Sequence, residues 1–347
     1  MEEKIYQLAQ DCIQKCPAII LGSGASITHG IPSMENLAKN LCETVKIEDK
    51  DSQEQEAWMQ IKASLENGED LETVLENNEI STLLLEKIIY LTWKSINKKD
   101  SELFYKTVTE KADFSLGKLL SILFNSSCRE VDIITTNYDR VAEYACNSEN
   151  LLFQTTFNPG YISDWQGSSQ MKNSYIYPQR AQVSRLVKIW KVHGSLDWFE
   201  TKNERILGLP VFKLPSKKYE LKPLIVTPGL NKYRKAFDEP FRAIISKADE
   251  VLESASAFIC IGFGFRDHHI YSKLRQRCRT ENIPVIVLAK KLTNEAKRFL
   301  LKEAGKQYLG IEESDEGCTV YADICRNGQN LSERKLWQLS DFVEEML

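Results

Sequence analysis

None of the nine cysteines forms a C-x-x-C pair. A zinc ribbon is built from two such pairs, so that metal module is excluded and no metal is expected. An odd number of cysteines spread over 347 residues is not the framework of a small disulfide-stapled domain, and a reducing, cytoplasmic setting is expected. No run of about 18 apolar residues occurs, and the amino terminus, MEEKIYQLAQDCIQKC, lacks a secretory hydrophobic stretch, so neither a membrane span nor a signal peptide is expected. Neither sign of charge is in excess. Lys plus Arg number 45 against 49 Asp plus Glu, a net charge of -4, which argues against direct binding to nucleic acid or to an anionic membrane. Glycine and proline number only 16 and 10, and no repeat or low-complexity tract is present, which removes the fibrous and disordered classes.

What remains is a globular chain long enough, at roughly 150 residues per domain, for one large domain or two modest ones. Ile5, Leu8, Cys12 and Cys16 fall at helical spacing; Pro17 ends that helix, and Ala18 to Leu21 begin a short apolar strand. From about 35 to 125 the patterns are helical, which reads as a helical insertion. Strand character returns at 131–135, 151–157, 186–192, 224–227, 257–261 and 284–288, with helical patterns at 140–146, 241–252, 270–278 and 295–301. Short apolar strands alternating with helices predict an α/β fold, a doubly wound, mostly parallel Rossmann-like sheet formed by about 1–34 plus 126–325. A helix over 330–347, amphipathic through Leu336, Leu339, Phe342, Val343 and Met346, closes the chain as one domain. Cys12 and Cys16 share a helical face and read as buried packing.

Ligands of such sheets lie beyond the carboxyl ends of the strands, so the residues just after each strand carry the chemistry. Gly22-Ser23-Gly24-Ala25-Ser26 lets backbone approach a pyrophosphate at a helix start, or is simply a tight turn. Ile27 stands where the third glycine of G-x-G-x-x-G belongs, and no acidic residue ends a second strand some 20 residues on, which disfavours a nicotinamide dehydrogenase. Thr136-Asn137-Tyr138-Asp139-Arg140 releases a carboxamide able to orient water or a sugar hydroxyl; Asp139 also fits a helix cap. His193-Gly194-Ser195 offers a base, and Gly262-Phe263-Gly264-Phe265-Arg266-Asp267 a second glycine turn with Asp267 as cap. His29, His193, His268 and His269 all follow strand exits, which predicts one shared cleft. Residues 158–182 form either a lid or a surface loop. The basic groups Lys232, Arg234 and Lys235, and Lys273, Arg275, Arg277 and Arg279, read as solvated faces before phosphate contacts.

Taken in order, the Gly22 to Ser26 turn with Gly30-Ile31-Pro32, the Thr136 to Asp139 segment, His193-Gly194 and the Gly262 to Asp267 turn resemble the sirtuin superfamily, and among it the sirtuin-like NAD hydrolases of bacterial anti-phage defence. The resemblance implies NAD+ as substrate, cleaved to nicotinamide and ADP-ribose, with depletion of cellular NAD+ as the defence. It implies Asn137 and His193 as catalytic residues. Gly22, Ser23, Gly24, Ala25 and Ser26 would hold the pyrophosphate; Gly262, Gly264, Thr227 and Asp267 would line the adenosine side, with Asp139 supporting the loop. It also implies a homo-oligomer or a separately encoded partner, such as a hexameric DNA-translocase ATPase or a short prokaryotic Argonaute. Ser33-Met34-Glu35 replaces the Asp-Phe-Arg that follows Gly-Ile-Pro in sirtuin deacylases, which together with the missing zinc ribbon sets a deacylase second. A non-catalytic NAD or ADP-ribose sensor is the third reading.

Overall fold

Three tetrapeptides, Ala18–Leu21 (β1), Phe258–Ile261 and Val285–Leu288, are buried at every position. Continuous burial requires cover on both faces, which is the condition of a parallel strand inside a sheet. The computed structural model describes residues 2–47, 52–110, 112–157, 160–165, 167, 185–213, 220–227 and 238–347. After helix α1 (Glu2–Gln14) and β1 come α2 (Ser23–Ile27), α3 (Met34–Thr44), α4 (Ser52–Glu66), α5 (Leu71–Asn77), α6 (Thr82–Glu110) and α7 (Ser115–Asn125). Then follow β2 (Glu130–Thr135), α8 (Val141–Ser148), β3 (Leu152–Gln154), β4 (Ser163–Asp164), β5 (Leu186–Lys191), β6 (Gly194–Glu200), β7 (Ile206–Gly208) and β8 (Lys222–Ile225). The remainder is α9 (Phe241–Ser254), β9 (Phe258–Ile261), α10 (His268–Glu281), β10 (Val285–Leu288), α11 (Asn294–Lys302), β11 (Tyr308–Ser314), β12 (Gly317–Ala322), β13 (Gln329–Ser332) and α12 (Leu339–Met346).

The main sheet has the order β13-β12-β11-β10-β9-β1-β2-β5-β3 and is parallel from β11 to β3, with β12 and β13 antiparallel at one edge. Alternation along β1 divides the core. Ile19 and Leu21 join the apolar cluster of α1, α7, α8 and α12, whereas Ala18 and Ile20 join that of α9, α10 and α11. The fold is thus the doubly wound, mostly parallel α/β arrangement expected. Register matters most for function. Leu21 pairs with both Thr135 and Ile261, Thr135 with Lys191, and Ile261 with Leu288, so five carboxyl ends stand flush.

Four sequence expectations change. The strand read at 224–227 is Lys222–Ile225 and pairs antiparallel with β6 in a separate sheet, β4-β7-β6-β8. Gly194, at φ 93°, turns the chain directly out of β5 into β6, and a Cβ there would lie 2.4 Å from the Leu224 carbonyl oxygen. The helix read over 330–347 is confined to Leu339–Met346, because Gln329–Ser332 is mostly exposed and pairs with β12. The strand read at 151–157 spans only Leu152–Gln154. Finally, Cys16 and Cys128 are disulfide-bonded with Cα atoms 5.5 Å apart, against the reading of Cys16 as buried packing. The cause is topological: the chain leaves β1, runs through α2 to α7 and returns to β2 beside it, so residues 112 apart in sequence meet ahead of neighbouring strands. Cys12 is buried, and burial pushes its thiol far above the ordinary range.

Candidate active site

Above the flush carboxyl ends lies a cleft of about 1350 Å³, lined by the exits of β1, β2, β5, β9 and β10 together with residues of α3, α5, α6 and α7. This is where a doubly wound sheet places a ligand. The described residues contain no helix long and apolar enough to cross a membrane, and no group of three or more His, Cys, Asp or Glu able to hold a metal.

The glycines of the first exit have a role beyond exposing backbone. A Cβ on Gly22 would sit 2.4 Å from the Gly262 carbonyl oxygen, and one on Gly24 2.7 Å from Gly262 Cα. The two glycine turns are packed backbone against backbone. Two amides expected to cradle a phosphate are also committed: Gly24 N–H donates to the Gly262 carbonyl (3.1 Å) and Ala25 N–H to that of Gly22 (3.0 Å). Gly22 through Ser26, Gly262 and Gly264 all line the cleft.

The second exit is wired to the first. Asn137 Nδ2 donates to the Gly22 carbonyl (2.9 Å) and to Ser26 Oγ (3.0 Å), while Thr135 Oγ1 accepts from Asn137 N (3.1 Å). Ser26 in turn hydrogen-bonds the Asp139 carboxyl, which also accepts from Val141 N at 3.1 Å. Burial, helped by the proximity of Asp100, raises the Asp139 carboxyl to about 6 against the opposing pull of Lys191 and of the hydrogen bonds from Val141 N and Ser26. Lys191 is itself buried, donating to the Asp139 carbonyl and to Glu143 (2.7 Å). Arg140 turns away from the cleft. Its guanidinium meets Asp100 (2.7 Å) and Asp197 (2.9 Å) and lies over the Phe212 ring, tying α6 to the Asn137 loop.

The third and fourth exits meet where the His193 ring faces the Asp267 carboxylate. His193 Nε2 is 3.1 Å from Asp267 Oδ2, and the other Asp267 oxygen caps α10 by accepting from His269 N and Ile270 N, both at 3.1 Å. Asn137, His193, Asp139 and Asp267 therefore line one cleft with the glycine turns.

Other expectations fall outside it. Thr227 is buried without lining the cleft. Of the four histidines only His29 and His193 line it, since α10 carries His268 and His269 outside and pairs His269 with Asp249 at 2.8 Å. Lys273, Arg275, Arg277 and Arg279 lie on α10 and none lines the cleft. The lid segment 158–182 is described only at 160–165 and 167, and Lys232, Arg234 and Lys235 lie outside the described residues.

His29, expected in the cleft, lines it and stacks on Phe114 behind the wall, with centroids 4.8 Å apart, and burial lowers its pKa. One part of the wall went unread in the sequence. The exit of β10 adds Ala289, Lys290 and Lys291, beside Trp337. The strand-exit rule, applied to 284–288, points to the lysines; nothing in the sequence pattern points to Phe114.

A profile of the SIR2-like domain family matches residues 131–309. Solved structures that resemble the chain include one described under the mechanism and regulation of Sir2 enzymes, at 15% identity and TM-score 0.40 over 85% of this chain and 89% of that one. A second is a Sir2 homologue in complex with NAD, at 16% identity and TM-score 0.45 over 89% and 87%. A third is Sir2Tm bound to a propionylated peptide, at 12% identity and TM-score 0.43 over 88% and 91%. No curated protein sequence matches the chain.

Proposed function

The chain belongs to the SIR2-like domain family, and from that premise we propose that it is an NAD+ glycohydrolase, converting NAD+ and water to nicotinamide, ADP-ribose and a proton. The observation that carries the reading is the convergence of Asn137 and His193 on the cleft floored by the two glycine turns.

Departure of nicotinamide needs no strong acid, because the cationic ring leaves neutral while positive charge develops on the ribose, as in glycoside hydrolysis. What the site must supply is an oriented water and a base. Asn137 has spent both amide hydrogens on Gly22 and Ser26, so its Oδ1 is the atom left to accept from water or a ribose hydroxyl. Asp267 beside His193 Nε2 favours the tautomer protonated there, which leaves Nδ1 as the lone pair that takes the proton of the attacking water. The pyrophosphate would lie along Gly22 to Ser26 and the adenosine toward Gly262 and Gly264.

Depletion of NAD+ in anti-phage defence is the biological setting this activity would serve. A second copy of the chain, a hexameric DNA-translocase ATPase or a short Argonaute would be its regulator. The test is nicotinamide release, followed by chromatography, from the purified chain with and without those partners. His193→Ala should lower turnover by about 10²- to 10⁴-fold, and Asn137→Ala should also lower it, with NAD+ binding retained in both. Equal turnover in wild type and both variants refutes the assignment; acyl-peptide turnover in its place would favour the deacylase.

A further inference from the structure

The exit of β10 is the one carboxyl end in the cleft that the proposed reaction leaves without a task. We infer that it receives an adenosine ribose bearing a 2′-phosphate, so that NADP+ is a preferred substrate; the inference rests on the dinucleotide reading above and narrows it.

Position comes first. β10 is three strands from β2 in the sheet, through β1 and β9. At about 4.8 Å per strand its exit lies roughly 14 Å from that of Asn137, the span between the two nucleoside halves of an extended dinucleotide. A ligand with its reacting ribose at Asn137 and its pyrophosphate along Gly22 to Ser26 brings its other ribose to Lys290 and Lys291, which both line the cleft.

Charge then decides what that ribose carries. In dinucleotide-binding sheets a carboxylate at this kind of strand end holds the free 2′-hydroxyl, whereas a basic residue accommodates a 2′-phosphate. Here every carboxylate lining the cleft comes from another exit or from the helical segment between β1 and β2. Glu312, on the neighbouring strand, is already engaged by Lys297 (2.6 Å), the Tyr321 hydroxyl (2.7 Å) and Leu292 N (3.0 Å). Glu313 stands 3.8 Å from Lys290, which also lies over the Trp337 ring. Lys291 is exposed and makes no ion pair among the described residues. Trp337 lines the same end of the cleft and sets an aromatic ring beside Lys290, 5.9 Å from its Nζ, a surface suited to an adenine.

The test is calorimetric titration of the full chain, at low ionic strength, with ADP-ribose and with ADP-ribose 2′-phosphate. The 2′-phosphate form should bind at least about tenfold tighter, and the Lys290→Glu, Lys291→Glu double variant should abolish or reverse that preference. The ratio of kcat/KM for NADP+ to that for NAD+ should fall in parallel. Equal or weaker binding of the phosphorylated form, or a preference that survives the double variant, overturns the inference while ADP-ribose binding upholds the dinucleotide reading. Binding of neither compound overturns both.

Discussion

Replacing Gly262 with alanine tests whether the two glycine turns exist to fit each other or to fit a ligand. A Cβ at Gly262 would stand 2.3 Å from Ala25 N and 2.4 Å from Gly24 C, both backbone atoms that cannot rotate aside, and the residue is held at φ 58°. The left-handed conformation costs a non-glycine residue about 1–2 kcal/mol, and overpacking of this kind costs about 1–3 kcal/mol more. Gly262→Ala should therefore remove about 2–5 kcal/mol from the ligand-free protein, a large share of the roughly 5–15 kcal/mol that holds a domain folded. Gly22→Ala, with its methyl 2.4 Å from the Gly262 carbonyl oxygen, should lose about 1–3 kcal/mol from the overlap. Gly264→Ala is the control within the same turn: its methyl would meet only Thr293 Cγ2, at 3.6 Å, and the change should stay within about 0.5 kcal/mol. Urea unfolding without ligand, read by tryptophan fluorescence, ranks the three. An unfolding midpoint for Gly262→Ala equal to wild type, with loss confined to NAD+ binding, would refute the packing argument and return the glycines to the ligand alone.

Asp100 is fully buried and accepts from Arg140 Nε (2.8 Å), Arg140 N (2.8 Å) and the Tyr144 hydroxyl (2.7 Å), so Asp100→Ala strands a buried guanidinium and should destabilise by about 3–5 kcal/mol in urea unfolding. A loss below about 1 kcal/mol would mean that Asp197 alone satisfies Arg140. The Asp139 carboxyl, raised to about 6 from 3.8 chiefly by burial, favours the folded state when protonated. That contribution, about 3 kcal/mol, is complete below pH about 4 and is lost as pH rises through about 6. Asp197, raised to about 6 in the same way, adds in the same direction. Asp139→Asn should therefore roughly halve the fall in stability measured by thermal unfolding between pH 4 and 6.5; an unchanged slope would remove Asp139 as its source.

Local signals reveal the centre of the sheet, and the reason is physical. A strand buried on both faces must be apolar throughout, so Ala18–Leu21, Phe258–Ile261 and Val285–Leu288 announce themselves by composition. The second sheet does not. Gly194–Glu200 mixes Ser195, Asp197 and Glu200 among its apolar residues, because Asp197 serves the Arg140 network rather than solvent, and this defeats any reading by alternation. Edge strand Gln329–Ser332 is stabilised by its partner's hydrogen bonds and needs no apolar residues of its own.

The site divides along the same line. Asn137, His193 and Asp267 were legible because each stands just past a strand whose end the pattern marks, and flush register then forces them onto one edge. The couplings among them were not legible. Asn137 to Ser26 spans 111 residues and the Arg140 to Asp100 bond spans 40, distances over which no sequence period operates. Those couplings give the helices between β1 and β2 a consequence for the site. Asp100 on α6 fixes Arg140, which adjoins Asp139, and Asp139 accepts from Ser26, which holds the Asn137 amide. Asp100 on α6 is thus joined to the carboxamide at the cleft floor through Arg140, the Asp139–Arg140 peptide and Ser26, contacts that link the helical segment to the site.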